Sequence, residues 1–417
     1  MRLFARTTTL SYFVTCALLL PLSGWAANVT VDCSGGTPGA FTSLQAAINS
    51  LDLLGPHQIT VVGNGTCNEN VRIVDRQRLT IIAPNGQFFT SPVGAADDVM
   101  TISGSTGITL TLLGFRGGSR GLVINRNSQV AVQGTTIDMN ANAGIRVDGN
   151  STVTIDGLIQ NNGAAGINVN DSTITIGGGA RILSNGGNGV VLRRSRGQFI
   201  GNVIRGNANG VNIVNGSSAE FDAPCTIQNN LFIGVQVADG SSARFFGDVA
   251  PDGTPVPNVI SGNPFVGLNI PDGQVVMFNA NQILNNGSGG PPFNAGVRVD
   301  DNGSLITVGS GDIQIGHNTG PGIDATTGGN VDLTGTVVAN NSGDGIRLQG
   351  NAQVAFFPPD TNVLAGNGGE PISCDNTSIF FGDRTELAEI RCKIAELKDR
   401  PSSSERKRMI KEERDEK

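Results

Sequence analysis

Tyr12 and Trp25 are the only tyrosine and tryptophan in the 417-residue chain, and both fall in its first 26 residues. No lysine precedes Lys393, and the histidines number two, His57 and His317. Charged residues make up only 15% of the chain. Any site must therefore be built from carboxylates, amides, arginine, phenylalanine and those two imidazoles. There is no Cys-x-x-Cys or Cys/His cluster, so no zinc site and no other metal or cofactor is expected. A net charge of −7 without a basic aromatic patch argues against a nucleic-acid partner. Long apolar runs are also missing. The one concentrated stretch, "VTCALLLPL" after Arg2 and Arg6, is too short to span a bilayer and reads as a signal peptide over residues 1–26. No transmembrane segment is expected, and the mature chain should be secreted, periplasmic or on the cell surface.

Five cysteines follow that leader. In an oxidising compartment the expected pairs are Cys33 with Cys67 and Cys374 with Cys392, which leaves Cys225 as a buried thiol.

Glycine is plentiful at 59 residues, but it does not recur every third residue as in collagen. It marks a longer period. A "G-[VIL]-x-[VIL]" phrase begins at Gly121, Gly144, Gly166, Gly189, Gly210, Gly234, Gly267, Gly296, Gly322 and Gly345, and a last variant starts at Pro371. The basic unit is about 22 to 23 residues, with longer intervals after Gly234 and Gly267. Within "GINVNDSTITI" the apolar residues alternate over two short runs, and "RIL" supplies a third. Three short strands per unit describe one coil of a parallel β-helix, and the usual crossover hand makes it right-handed. The expected fold is all-β, a single-stranded right-handed parallel β-helix of about 11–13 coils over residues 27–382. A cap helix is expected near 41–54 ("FTSLQAAINSLDLL"), a C-terminal capping helix over 383–400, and a charged tail over 401–417.

Stacking the units makes columns. An inward column on the second strand reads Ile155, Ile176, Ile200, Phe221, Phe245, Phe278, Val308, Leu333, Phe356 and Phe381. Ahead of the glycine phrase stand Asn140, Asn162, Asn185, Asn230, Asn263, Asn318, Asn341 and Asn367, with Asn207 in a shorter unit. An amide carries two donors and an acceptor, so this column is expected to be a structural ladder closing the turns.

The segment "VDCSGGTPGAFTSLQAAINSL…ITVVGNGTCNENVRI" resembles the N-terminal start of pectin methylesterases, with Cys67 where that family has a tyrosine. The later coils are similar to those of the pectin lyase-like superfamily. This resemblance implies the fold. The motifs of methylesterases and polygalacturonases are absent, and no acidic calcium cluster like that of pectate lyases lines a column.

The middle residue of each glycine phrase should point outward. That stripe includes Asn168, Gln236, Asn269, Arg298, Asp324 and Arg347, and the last five are the substrate-binding candidates. The alternative is a solvated ladder in which Asp324 relieves repulsion between two arginines. "DDNG" at Asp300-Asp301, followed by "GHN" around His317, faintly resembles the paired aspartates and Gly-His-Gly of polygalacturonases. Asp300, Asp301, His317 and Asp324 are thus the catalytic candidates. Insertions at 249–258 and 287–294 enlarge neighbouring coils.

Two functions stay open. One is a non-catalytic binding or surface-structural module with polysaccharide as partner. The other is a uronan-active hydrolase or lyase. The missing Tyr, Trp and Lys favour the first.

Overall fold

The computed structural model describes residues 26–290, 294–310, 312–357, 362–382 and 393–395. The glycine phrases form strands such as Ile145–Val147, Ile167–Asn170 and Val190–Arg193, which pair in parallel one coil to the next. They belong to a 13-stranded sheet running from Val71–Val74 to Ile372–Cys374, here termed the first face. The second face holds Thr173–Ile176, Arg196–Ile200, Ser218–Asp222, Ser242–Phe246 and Gln274–Phe278. The third holds Arg181–Leu183, Val203–Arg205, Thr226–Gln228 and Asn258–Ser261. Second and third faces merge because Gln129–Asp138 and Thr152–Gln160 run through the corner between them. The result is a right-handed β-solenoid of about 14 turns. It exceeds the expected 11–13 because Val71–Val74 and Met100–Ser103 form first-face rungs without the glycine phrase that marks later coils.

Ile167 and Val169 are fully buried while Asn168 between them is not, as period-two alternation requires. Gly166 is required by close approach. A Cβ there would lie 2.8 Å from the Asn185 side chain and from the Gly189 carbonyl of the next coil. The same squeeze recurs at Gly144, Gly189 and Gly210.

The asparagines form the expected ladder, and it is longer than expected. Asn140, Asn162, Asn185, Asn207, Asn230, Asn263, Asn286, Asn318, Asn341 and Asn367 bond in sequence through their side chains. Asn286 was hidden because the 287–294 insertion separates it from Gly296. The left-handed residue is the one before each asparagine, for example Asn161 (φ 53°), Ser184 (φ 53°) and His317 (φ 55°).

A second ladder had no counterpart in the sequence reading. The hydroxyls of Ser128, Ser151, Ser172, Ser195, Ser217 and Ser241 each accept from the backbone N–H of the serine one coil earlier, at 3.1–3.2 Å. It closes the corner between first and second faces.

The Phe column differs from the expected one by a residue at several rungs. Phe199, Phe221, Phe245 and Met277 are in register and buried, where Ile200 and Phe278 had been expected alongside Phe221 and Phe245. Thr307 likewise replaces Val308, and at the last rung the buried ring is Phe380, in register with Val354 rather than Phe356. In "QFIG" and "VMFN" two apolar residues stand side by side, so alternation within one strand leaves the parity open. Pairing with the neighbouring strand sets it.

At the N-terminus the cap helix is Leu44–Ser50, shorter than expected, with Leu44 and Ile48 buried. Glu69 accepts from Ser43 Oγ (2.7 Å) and from the N–H groups of Leu44 (2.6 Å) and Gln45 (3.2 Å). The "NENV" segment thus caps this helix from the opposing strand. Cys33 and Cys67 are joined, and Cys225 is free and buried, its thiol pushed up to about 11 by desolvation. Cys374 is also disulfide-bonded, while Cys392 lies outside the described residues.

Residues 1–25 and most of 383–417 also lie outside them. Within the span expected to be a C-terminal helix, Lys393–Ala395 is instead a strand, pairing in parallel with Ile379–Phe381. A strand satisfies the open backbone edge of that coil directly, which a helix laid across it cannot do.

Hydrogen bonds from Ser34 and Thr37 hold the Asp32 carboxyl down at about 2, from an ordinary 3.8. A depressed carboxylate contributes stability above its unfolded value and loses it as pH falls through the folded one. Thermal midpoints of Asp32→Asn and wild type should therefore differ at pH 5 and above, and converge between about pH 4 and 2.

Candidate functional site

The first-face stripe is in register as expected, with Gln236, Asn269, Arg298, Asp324 and Arg347 on consecutive rungs. Its charges answer one another. Arg347 grips Asp324 through two bonds of 2.8 Å, and the Asp324 side chain is only 3% exposed. That pairing holds the Arg347 guanidinium above its ordinary value. Arg298 Nε donates to Asp300 at 2.6 Å, and Thr326 Oγ1 donates to the same carboxylate. Earlier on the stripe, Asn168 accepts from Arg193 at 3.0 Å beside a shallow 500 Å³ depression that also holds Arg120 and Arg146.

The four catalytic candidates are not gathered. Asp300 ends the strand Ala295–Asp300, and exposed Asp301 follows it in a left-handed turn. His317 is exposed at the opposite corner, in the left-handed position before ladder residue Asn318. The width of the first face lies between them.

A richer surface lies on the second face. There the residues between the buried Phe199, Phe221 and Phe245 point outward. Gln198, Glu220 and Arg244 occupy successive rungs, and Asp222, Phe246 and Phe278 occupy the rungs beside them. Arg196 and Arg244 flank Glu220 at 3.6 and 3.9 Å, and Gln198 donates to Asp222 at 3.0 Å. Phe246 and Phe278 stack with ring centroids 5.0 Å apart and planes 4° from parallel.

The first insertion begins at the groove's border. It folds as a hairpin in which Asp248–Val249 pairs with Pro255–Val256, the one antiparallel pairing among the described residues. Arg196, Gln198, Glu220, Asp222, Arg244 and Phe246 line a 570 Å³ groove with Gly247, Asn279 and Asp248, the first residue of the hairpin. A 190 Å³ hollow continues it along the stack past Arg196 and Arg244 to Gln274, Val276 and Ile306. The ion pairs here are long and partly exposed, worth roughly 0–1 kcal/mol each, so a ligand can replace them at little cost.

Sequence reading missed this surface because it followed the glycine phrase, whose face is the most regular. A signal was present. In a chain of few charges, Arg196, Glu220, Asp222 and Arg244 crowd into three neighbouring units, directly ahead of the hairpin insertion.

Sequence comparison matches residues 223–380 to the family described as right handed beta helix region. The chain folds as a right-handed parallel β-helix. Residues 60–247 of this β-helix protein also match the family described as periplasmic copper-binding protein (NosD). No curated protein matches it.

Among solved structures, it is similar to the A-module of the mannuronan C-5 epimerase AlgE4 of Azotobacter vinelandii, at 15% identity over 83% of this chain and 99% of that one, TM-score 0.48. The periplasmic alginate epimerase AlgG matches at 14% identity over 86% and 84%, TM-score 0.43. A pectate lyase matches at 12% identity over 91% and 83%, TM-score 0.32.

The described residues do not fit a copper centre. Copper sites draw on imidazole, thiolate and thioether donors held together. Cys33, Cys67 and Glu69 form the one group of three potential ligand atoms among the described residues, and the two sulfurs are bonded to each other. His57 is held between Ala27 N and Asp52, and His317 stands in its separate turn. No helix among the described residues is long and apolar enough to cross a membrane.

Proposed function

We propose that the chain is an exported, non-catalytic β-helix protein that binds polysaccharide along the second-face groove. The observation that carries this reading is the groove itself. Phe246, stacked on Phe278, forms one edge, guanidinium, amide and carboxylate groups form the floor, and Asp248 at the start of the hairpin borders it. Apolar ring faces meet the C–H faces of sugars, and planar polar groups meet their hydroxyl pairs. With no Trp or Tyr among residues 27–417, phenylalanine is the aromatic residue left for that role.

The non-catalytic part rests on how the carboxylates are engaged. Hydrolysis of a glycosidic bond needs one carboxyl group that donates a proton and one that accepts or attacks. Asp300 and Asp324 accept from Arg298 and Arg347, and Asp222 accepts from Gln198. Glu220 faces Arg196 and Arg244. Each is placed as an acceptor.

Retention of the protein in native gels cast with a panel of neutral and acidic polysaccharides tests the reading. The expected result is retention by at least one polymer, weakened at least about tenfold by Phe246→Ala or Arg244→Ala and unchanged by Arg347→Ala. Shortening of any of these polymers by the protein, lost on Asp324→Ala or Asp301→Ala, would instead establish the hydrolase or lyase reading.

A further inference from the structure

Resting on that reading, we infer that the polymer taken by the second-face groove is uncharged. Two guanidinium groups, Arg196 and Arg244, face three carboxylates, Glu220, Asp222 and Asp248. Glu220 lies between the two arginines, so neither cation presents an unscreened field to a ligand. The neighbouring outward positions, Thr173, Ser218, Ser242, Gln274 and Ser304, carry no charge and add no cation to offset the acidic excess.

The whole chain adds to this at long range with a net charge of −7. A polymer with a carboxylate on every residue would approach an acidic protein and then meet Glu220 and Asp222 on the groove floor. Like charges in such a setting act against the wrong ligand. A neutral sugar meets no such barrier. Its hydroxyls can donate to Glu220 and Asp222 and accept from Arg196, Arg244 and Gln198, while a ring face covers Phe246.

The same gels, run with the full chain in galactomannan, xyloglucan and mixed-linkage β-glucan against alginate and polygalacturonate, decide the matter. Retention by one of the neutral polymers should exceed that by either acidic polymer by at least roughly tenfold. The double variant Glu220→Gln with Asp222→Asn removes the acidic floor and leaves both arginines. It should gain roughly tenfold in retention by alginate or polygalacturonate, with an unchanged thermal midpoint showing that the coil is intact.

Equal or stronger retention of the wild type by the acidic polymers, lost on Arg244→Ala, would overturn the neutral-ligand inference and leave the binding reading standing. So would a double variant of unchanged midpoint that gains no retention in the acidic polymers. Retention by no polymer overturns both.

Discussion

Replacing Asn162 with alanine is expected to lower stability by about 3 kcal/mol, whereas replacing Asn168, six residues on, should change it by less than about 0.5 kcal/mol. The two residues have the same chemistry and opposite surroundings. The Asn162 side chain is buried, and its Oδ1 accepts from both Asn140 N (3.2 Å) and Asn140 Nδ2 (2.9 Å). Its Nδ2 donates to the Ile137 carbonyl at 3.2 Å and to Asn185 Oδ1 at 2.9 Å. Alanine leaves the Asn140 N–H and the Ile137 carbonyl without these partners in a place water does not reach. Each such group costs roughly 1–3 kcal/mol.

Asn162→Asp should be at least as harmful. It keeps the acceptor, loses both donors, and buries a charge next to Asn185 Oδ1. Asn168 is half-buried on the first face with a single bond to Arg193, and solvent can replace it. Urea unfolding midpoints of the three variants, measured alongside wild type, read these differences directly.

The contrast shows what the sequence does and does not disclose. Period, strand number per coil, and the role of the Asn column were legible because the physics behind them repeats. Every coil must close the same corner, so the same amide recurs. The serine ladder answers the same need at another corner, yet it escaped notice, because serine is an ordinary turn residue and its spacing alone does not mark it. Asn286 was lost where an insertion broke the spacing. Cys225 N donates to Asn258 Oδ1, while its sulfur bonds the carbonyls of Phe199 and Asp222. It occupies a place that amides fill in neighbouring coils, such as Asn202 and Asn258. A binding surface repeats nothing. Glu220, Arg244 and Phe246 become one site only when two coils are stacked in register, and the register depends on which residue of each apolar pair turns inward.

Phe245 and Phe246 are such a pair, and the second large effect follows from their division. Phe221→Ala is expected to cost about 3–5 kcal/mol. Its ring is fully buried between Phe199 at 4.5 Å and Phe245 at 4.4 Å, with interplanar angles of 14° and 3°. Removing it leaves a ring-sized void that parallel pairing on both sides prevents from collapsing, and it forfeits two aromatic contacts. Phe246→Ala removes a ring of the same size from the partly exposed outer stack on Phe278, and should cost about 1 kcal/mol. The two variants should then separate in opposite ways. Phe221→Ala is expected to show a much lower unfolding midpoint with polysaccharide retention kept at low temperature. Phe246→Ala is expected to show a near-normal midpoint with retention lost. A Phe246→Ala protein that keeps its retention would remove the outer stack from the binding surface. A Phe221→Ala protein of normal stability would mean that the three-ring stack is not what holds these coils together.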